Sequence, residues 1–500
     1  MITPNRRSST RSSVSGGIAL HNDAHGGNDK IVTVVRVRPM SDSELLHHCK
    51  VVMIPDYGEP GMCIIDPVYF GTDKRESDRK AYERHFHYDH FFWSANKADN
   101  GVEVATQEEV FNACAKPLVG HCITGFNCAI FAYGQTGSGK THTMMGYDSH
   151  SEGAGVIPRL VRSLLQQVNE MRLLQQNGVG SYDSKIDVSY YEIYNEKVHD
   201  LLSNSTEVGC RVREHPDTGA YVEGLTRVEI NNYEDVDAVL QRGQKHRAVA
   251  ATLMNSSSSR SHAVFNVYLV QTLPNLPDSA SFGGSVSVTS DDSSVNSRGS
   301  RNGKSSSRSN GSSSVQRQSK VCLVDLAGSE RASASGVSGE RLTEANSINK
   351  SLSALGDVIQ ALSAKSSKSL HIPYRNSVLT WLMKDSIGGN SKSVMLATVS
   401  PTDTAYFESM STLRYVERAK LISNHAVVNE TTSDANVISQ LQKQVQTLQK
   451  QLSEVQPSGS GHGLKRPGSA NNLVDSESSE DLKRMMALVT QKQQVYLHSY

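Results

Sequence analysis

The sequence predicts an α/β domain: a central, mostly parallel mixed sheet with helices on both faces, arranged around a phosphate-binding loop. Three observations predict it. Apolar, β-branched runs alternate with segments of helical period from Ile31 to Ala419, the pattern of a sheet covered by helices. One run, Cys128-Ala129-Ile130-Phe131-Ala132-Tyr133, leads directly into Gly134-Gln135-Thr136-Gly137-Ser138-Gly139-Lys140-Thr141, which satisfies G-x-x-x-x-G-K-[ST] at every position. A second buried run, Val321–Val324, ends in Asp325-Leu326-Ala327-Gly328 and so places an acid and a glycine where a strand meets a loop.

Composition narrows the class. The chain has 500 residues, enough for one large domain with tails. Lys and Arg number 51, as do Asp and Glu, so the net charge is zero and an acidic partner has to be met by a local patch. Nucleic acid is not suggested. The seven cysteines (Cys49, Cys63, Cys114, Cys122, Cys128, Cys210 and Cys322) are scattered without C-x-x-C pairs, which fits a reduced, cytosolic setting. No apolar run reaches transmembrane length, and the N-terminus lacks the apolar core of a secretory signal.

In chain order, residues 1–29 are rich in Ser, Arg and Gly and read as a disordered basic arm. The folded domain spans 30–420. It opens on the β-branched strand Ile31–Val37, stopped by Pro39. Short strand-like pieces fill 50–92. Thr106–Gly125 reads as one helix, with Val110, Cys114, Leu118 and Cys122 at steps of four. After the phosphate loop, Pro158–Leu174 is helical, Lys185–Tyr194 alternates like a strand, Tyr233–Ala250 is helical and Ala263–Gln271 is a strand. Residues 273–320 collapse to Ser, Gly, Asn and Arg and read as a disordered insertion. Thr343–Ser363 is a long helix, Val394–Val399 a strand and Thr404–Ala419 the last helix. Ile438, Leu441, Val445, Leu448, Leu452 and Val455 then follow an a/d heptad pattern within 435–456, under three heptads, so a homodimer seam over 438–455 is marginal. Residues 457–500 read as a largely disordered tail with one short amphipathic helix.

Two further stretches suit a nucleoside-triphosphate site. Asn255-Ser256-Ser257-Ser258-Ser259-Arg260-Ser261-His262 offers hydroxyls for Mg²⁺ or for an attacking water, and a guanidinium for a carboxylate. Asp325-Leu326-Ala327-Gly328-Ser329-Glu330 offers an acid for the outer shell of Mg²⁺, and at Gly328 an N–H that nothing screens from a γ-phosphate. Lys140 reaches the phosphates and Thr141 the metal.

With these residues in hand, the chain resembles the kinesin motor domain over roughly Ile31–Glu430, apart from the Ser-rich insertion. The family signatures stand here as Tyr133–Thr141, Asn255–His262 and Asp325–Glu330. Met144-Met145-Gly146, Tyr191–Glu196, Arg213-Glu214-His215-Pro216, His371–Arg375 and Ser377–Leu382 resemble the third, organelle-transporting kinesin family. The resemblance implies a P-loop NTPase of the kinesin motor fold, acting as a microtubule-stimulated ATPase with ATP and Mg²⁺ and working in the cytoplasm on the microtubule cytoskeleton. It implies that Arg36, Arg38, Pro39 and His142 frame the adenine, and that Gly134, Gln135, Thr136, Gly137, Ser138, Gly139, Lys140 and Thr141 cradle the phosphates. Thr141, Ser259 and, through water, Asp325 would hold Mg²⁺. Ser258, Ser259 and Arg260 belong to the first switch; Asp325, Gly328 and Glu330 belong to the second. An Arg260–Glu330 salt bridge would close when ATP binds. Residues 421–431 resemble the neck linker of plus-end-directed kinesins.

On the same resemblance the acidic microtubule would be met by Lys350, Lys365, Lys368, Tyr374, Arg375 and Lys384. Two departures weaken that tether: Ala332–Ser338 carries no lysine, and Ala364–Ser369 carries only two. The alternatives are a non-walking kinesin-like ATPase that regulates or tethers microtubules, and a non-catalytic microtubule scaffold. Intact Lys140, Thr141, Arg260, Asp325 and Glu330 speak against the scaffold. Cargo is not legible. His85, His87 and His90 sit together near Tyr88 and Asp89; no cysteine is near them in sequence, and the resemblance implies an ordinary strand here, so a zinc site is not expected.

Overall fold

The computed structural model describes residues 29–432 apart from 57–58, 72–75, 96–102, 149–150, 177–181, 205–208, 216–218, 254–257, 275–313, 331–339 and 365–370. The expectations for residues 1–28, for most of the Ser-rich insertion, for the heptads and for the tail lie outside the described residues. Eleven strands matter to the site: β1 (Val32–Val37), β2 (Met53–Pro55), β3 (Gly61–Ile65), β4 (Glu83–His87), β5 (His90–Trp93), β6 (Cys128–Tyr133), β7 (Asp183–Tyr194), β8 (His262–Pro274), β9 (Ser314–Asp325), β10 (Lys392–Val399) and β11 (Glu430–Thr432). Besides a short helix at Asp42–Leu46, the helices are α1 (Gln107–Cys114), α2 (Lys116–Ile123), α3 (Lys140–Met144), α4 (Val156–Gln176), α5 (Tyr233–Leu253), α6 (Glu340–Ser363), α7 (Val378–Leu382) and α8 (Tyr406–Ala419).

The main sheet runs β7-β8-β9-β6-β10-β1-β5. From β9 to β5 every neighbouring pair is parallel, whereas β7–β8 and β8–β9 are antiparallel. This is the mixed sheet the sequence predicts. β6 lies inside it because Cys128–Tyr133 has no polar alternation, and all six residues are buried. Successive side chains of a strand point to opposite faces. Accordingly Val35, Phe131, Val324 and Met395 pack with Leu355, Ile359, Leu413 and Val416 of α6 and α8. Val34, Ile130, Leu323 and Leu396 pack on the other face with Val110, Val119, Leu160, Leu164 and Leu240 of α1, α2, α4 and α5.

Three expectations need correction. The single helix over Thr106–Gly125 is two helices that meet at Ala115 (φ −110°), and Pro117 sits in the first turn of the second. Proline has no N–H to give the preceding turn and its ring crowds that turn's carbonyl, so the helix restarts there. The apolar step of four survives: Val110, Cys114, Leu118 and Cys122 are all buried. The strands flanking the insertion are longer than the sequence suggests, with Thr272 opposite Gln316, Leu273 opposite Val315 and Pro274 opposite Ser314. Polar Gln316, Arg317, Gln318 and Lys320 hide the strand in the sequence, and only the cross-strand ladder reveals it. β8 starts and β9 ends at the same edge of the sheet, so their joined ends lie a whole strand away; at about 3.4 Å per residue the length is about 40 Å. Finally, Asp29, assigned to the arm, pairs with Asn424, and Lys30 pairs with Ser423.

Past α8 the chain lies along the domain. Val427 N donates to Asn390 Oδ1 at 2.8 Å, and Asn390 Nδ2 donates to Asn429 Oδ1 at 2.9 Å. Asn429 N donates to the Gly125 carbonyl at 2.9 Å, and Gln318 N donates to the Asn429 carbonyl at 3.0 Å. β11 then pairs with β9 at Val315, Gln316 and Arg317, with Arg317 and Glu430 at 2.5 Å.

Candidate active site

The site forms at the carboxyl end of β6, where parallel neighbours on both sides leave a crevice between diverging loops. Gly134 takes φ +153°, and a Cβ there would lie 2.3 Å from the Thr398 carbonyl of β10, so only glycine lets the loop cross that strand. Ser138 Oγ and Thr398 Oγ1, 2.7 Å apart, pin the loop to β10. Lys140 is buried and folds back over the loop, donating to the Gly134 and Gln135 carbonyls at 2.8 and 2.9 Å. Burial pulls its pKa below the ordinary lysine value, opposed by the charges of Asp325 and Glu330.

The second predicted switch touches this loop directly, and the first touches the second. Thr141 Oγ1 donates to Asp325 Oδ2 at 2.6 Å, while Asp325 Oδ1 is buried with no hydrogen-bond partner among the described residues. A hydroxyl beside an orphaned carboxylate oxygen is the hard oxygen set that Mg²⁺ takes, so these residues fit that ion. Arg247 of α5, buried and absent from the sequence reading, lies 3.5 Å from Asp325 Oδ2. Glu330 accepts from Thr136 N at 2.8 Å and also from Thr136 Oγ1. Ser329 N donates to the Gly134 carbonyl at 3.1 Å. Gly328 needs correction: its N–H, read from the sequence as free for a phosphate, donates here to the Ser259 carbonyl at 2.8 Å. A Cβ at Gly328 would meet Thr136 Oγ1 at 2.3 Å and both Glu330 oxygens within 2.5 Å, so the residue is glycine because the two loops close over it. Ser258, Ser259 and Arg260 form one short 3₁₀ turn ahead of β8, which brings the first switch beside the second.

The residues assigned to the adenine separate into two groups. Arg36 is buried under the loop, not beside an open ring site: it donates to Ser94 Oγ (2.9 Å), Gln107 Oε1 (2.6 Å) and Thr143 Oγ1 (3.1 Å). Burial lowers its pKa to about 10. Gln107 in turn donates to the His142 carbonyl at 2.8 Å, so Arg36 and Gln107 brace α3 from below. Arg38 braces the loop from the side. Its Nε donates to the Gly137 carbonyl at 2.6 Å, and its two terminal nitrogens hold Glu44 at 2.6 and 2.8 Å. Burial pushes the Glu44 carboxyl up, but hydrogen bonds from Arg38, Ser41 N and Ser400 outweigh it and hold the group well below the carboxylate range. Pro39 is exposed. His142 packs on Tyr147 with ring centroids 4.5 Å apart, and Tyr147 is 88 % exposed. The accessible ring surface here is the His142–Tyr147 pair. Tyr147 was missed, although an aromatic five residues past His142 on a turn was a readable signal. Gln107, Thr143, Arg247 and Thr398 carry no such signal, because their neighbours come from remote segments.

His262 links the switches to α6. Ala327 N donates to His262 Nδ1 at 3.0 Å, so the ring proton sits on Nε2, which faces Ser351 Oγ at 2.8 Å. Burial lowers this histidine's pKa to about 3, helped by the positive Arg247 and Lys140. The unfolded chain protonates the ring below 6.5 and the folded chain does not until about 3, so stability is withdrawn as pH falls through that window. Urea unfolding at pH 7.5 and at pH 5 is expected to show a larger acid loss in the native protein than in His262→Gln. Equal losses would show that the ring is protonated in the fold.

The microtubule candidates meet different fates. Lys350 is exposed on α6. Lys365 and Lys368 lie outside the described residues. Tyr374 is half-buried and donates to the Ile387 carbonyl at 2.6 Å, so its hydroxyl serves packing and not a partner. Arg375 and Lys384 both bind Glu214, Lys384 at 3.0 Å, and together draw Glu214 down to about 2. Sequence order hid this, since Glu214 lies more than 150 residues upstream.

A protein-family model described as the kinesin motor domain matches residues 36–422. The chain is 40 % identical over 477 residues to kinesin-like protein KIF13A of Mus musculus, covering 93 % of this chain and 24 % of that protein. It is 41 % identical over 434 residues to kinesin-like protein KIF13B of Homo sapiens, covering 86 % of this chain and 21 % of that protein. The chain thus spans about a quarter or less of the length of these relatives. Among solved structures it is similar to a KIF14 dimer in a two-heads-bound state with AMP-PNP in complex with a microtubule, at TM-score 0.64 and 38 % identity, over 81 % of this chain and 97 % of that one. It is also similar to a fast kinesin at TM-score 0.62 and 32 % identity, over 82 % of this chain and 97 % of that one.

Proposed function

The chain belongs to the kinesin motor family, and on that premise we propose that it is an ATP-hydrolysing microtubule motor of the third, organelle-transporting kind, binding ATP at the phosphate loop and stepping toward the plus end. The observation that carries this reading is the single hydrogen-bonded set joining Thr141 to Asp325, Thr136 to Glu330 and Gly328 to Ser259. Each link reports on whether a phosphate lies in the loop, and each belongs to an element that moves something else.

Lys140 exchanges its two loop carbonyls for phosphate oxygens. Thr141 and Ser259 hydroxyls and the Asp325 carboxylate would hold Mg²⁺, which would supply charge neutralisation on the phosphates. Gly328 releases the Ser259 carbonyl to donate to the γ-phosphate, and Glu330 leaves Thr136 for Arg260. Ser258 and the closed switches position the attacking water. No strong general base is required, because phosphoryl transfer relies on positioning and charge neutralisation. His262 passes the change at Ala327 to Ser351 of α6, next to Lys350, which grips the track. The 421–431 segment, running past Asn390, Gly125 and β9, would be the neck linker, lying along the domain as a docked linker would. The protein would act in the cytoplasm on microtubules.

Filament gliding with polarity-marked microtubules tests this. Movement with plus ends trailing supports the reading, and binding without movement refutes it. A non-walking ATPase is the second reading, favoured by the neutralisation of Arg375 and Lys384 on Glu214; it predicts filament-end shortening in the same assay.

The insertion enters far from the nucleotide, so replacing 275–313 by a two-residue turn between Pro274 and Ser314 is expected to leave stimulated ATPase within about twofold of the native rate. Extending the deletion through Arg317 is a different experiment, because it removes the β9 residues that hold β11. Steady-state phosphate release checks both, and a collapse in the shorter deletion would place the insertion in the catalytic cycle.

A further inference from the structure

The small sheet β2-β3-β4 holds a donor set that the nucleotide chemistry does not use. Cys63 of β3 stands directly opposite His85 of β4, and Glu83 lies two residues earlier on the same face of β4. One ligand atom from each of Cys63, Glu83 and His85 lies within 4.8 Å of the others. Asp56, which follows β2, completes the cluster: its Oδ1 is 3.6 Å from His85 Nδ1, and its Oδ2 is buried with no hydrogen-bond partner among the described residues. The sequence reading dismissed zinc because no cysteine was near these histidines; the strand pairing brings one there.

We propose that Cys63, Glu83 and His85 form a zinc site, with Asp56 as the residue that orients the histidine. A thiolate, an imidazole and a carboxylate are borderline-soft donors, a set that selects zinc over Mg²⁺ or Ca²⁺. The second shell is already in place. Arg79 Nε holds Glu83 Oε1 at 2.8 Å and leaves Oε2 turned toward His85 Nε2 at 3.8 Å. With the ion between Glu83 Oε2 and Nε2, the Nδ1–H donates to Asp56, the carboxylate–histidine arrangement that fixes a ligand tautomer. Tetrahedral zinc keeps donors about 3.3–3.7 Å apart, so the three atoms close by about an ångström, which the half-exposed His85 supplies by side-chain rotation. Burial, then Glu83 and Asp56, push the Cys63 thiol up to about 11; a divalent cation in their midst reverses that electrostatic sense.

Three protein ligands leave the fourth position to water. The ion would clamp β3 to β4, just ahead of Tyr88, whose hydroxyl donates to the Leu413 carbonyl of α8 at 3.1 Å. No residue of the set belongs to the phosphate loop or to either switch, so the site is a structural clamp and not part of hydrolysis.

The test is cobalt substitution in the full 500-residue chain without a histidine tag, saturated with Mg²⁺ and ADP. The expected result is one equivalent of Co²⁺ with a thiolate-to-cobalt charge-transfer absorption, displaced by one equivalent of Zn²⁺. Cobalt at the nucleotide gives no such band, because the phosphate loop and both switch segments contain no cysteine. Cys63→Ser abolishes the band, His85→Gln and Glu83→Gln weaken binding at least tenfold, and Asp56→Asn weakens it about ten- to a hundredfold. His85 and Glu83 reach the surface, so their variants keep the test valid if Cys63→Ser fails to fold. Zn²⁺ should also raise the thermal midpoint of the native chain and not that of His85→Gln. Absence of the charge-transfer band, or its persistence in Cys63→Ser with unchanged affinity in His85→Gln, overturns the proposal.

Discussion

Lys140→Ala is expected to abolish nucleotide binding. The ammonium is the buried cation that folds over the loop, and its partners here are the Gly134 and Gln135 carbonyls. Removing it leaves the glycine turn tied down by the Ser138–Thr398 hydroxyl contact and by the bond from Ser329 N to the Gly134 carbonyl. The backbone N–H groups would then meet the phosphates without the lysine's counter-charge. Loss of a charge-assisted contact of this kind costs several kcal/mol, so affinity for a fluorescent ATP analogue should fall by about 10³-fold or more, with hydrolysis lost in proportion. Thermal unfolding of the nucleotide-free variant is expected to match or exceed that of the native protein, since a buried ammonium is unfavourable in the absence of its anion. Binding within tenfold of native would show that the helix and glycine turn suffice and that Lys140 has another task.

Glu330→Ala should separate binding from turnover. Thr136 loses the acceptor for both its N–H and its hydroxyl, and on the proposed mechanism Arg260 loses the carboxylate it would close on when ATP binds. Neither loss breaks a hydrogen bond of Lys140 or the Thr141–Asp325 bond. Nucleotide affinity should therefore stay within a few-fold, whereas microtubule-stimulated phosphate release should fall by about 10²-fold or more, the scale of removing one preorganised charge contact from a reacting site. Glu330→Gln sharpens the result: the amide oxygen can still accept from Thr136 but offers Arg260 no charge. Native turnover in Glu330→Gln would assign the residue to the Thr136 latch alone, and native turnover in Glu330→Ala would remove it from the mechanism.

Much of the site is readable in the sequence because its parts are local. The octet Gly134–Thr141 carries its own turn chemistry, and the strands before it and before Asp325 announce themselves by unbroken apolar runs. What escapes reading is what needs a partner from elsewhere. Arg36 is assigned to the adenine by resemblance, yet Ser94, Gln107 and Thr143 enclose it. Glu214 looks like a hairpin charge, yet it takes up two of the cations assigned to the track. The helix break at Ala115 is the converse case, a local proline signal outweighed in the reading by an apolar period that spans both halves.

By itself the sequence determined the α/β class, the phosphate cradle with Lys140 and Thr141, and the order of the two switches, because apolar period, glycine conformation and strand-end acids act over a few residues. The tertiary structure decided the rest. It chose that Gly328 binds Ser259, that Glu330 latches Thr136, that β9 reaches back to hold β11, and that Cys63 meets His85 across a strand pair. Each of these joins groups about 20 to nearly 200 residues apart, and such pairings are set by sheet register and by which strand lies beside which, quantities that no short window of sequence contains.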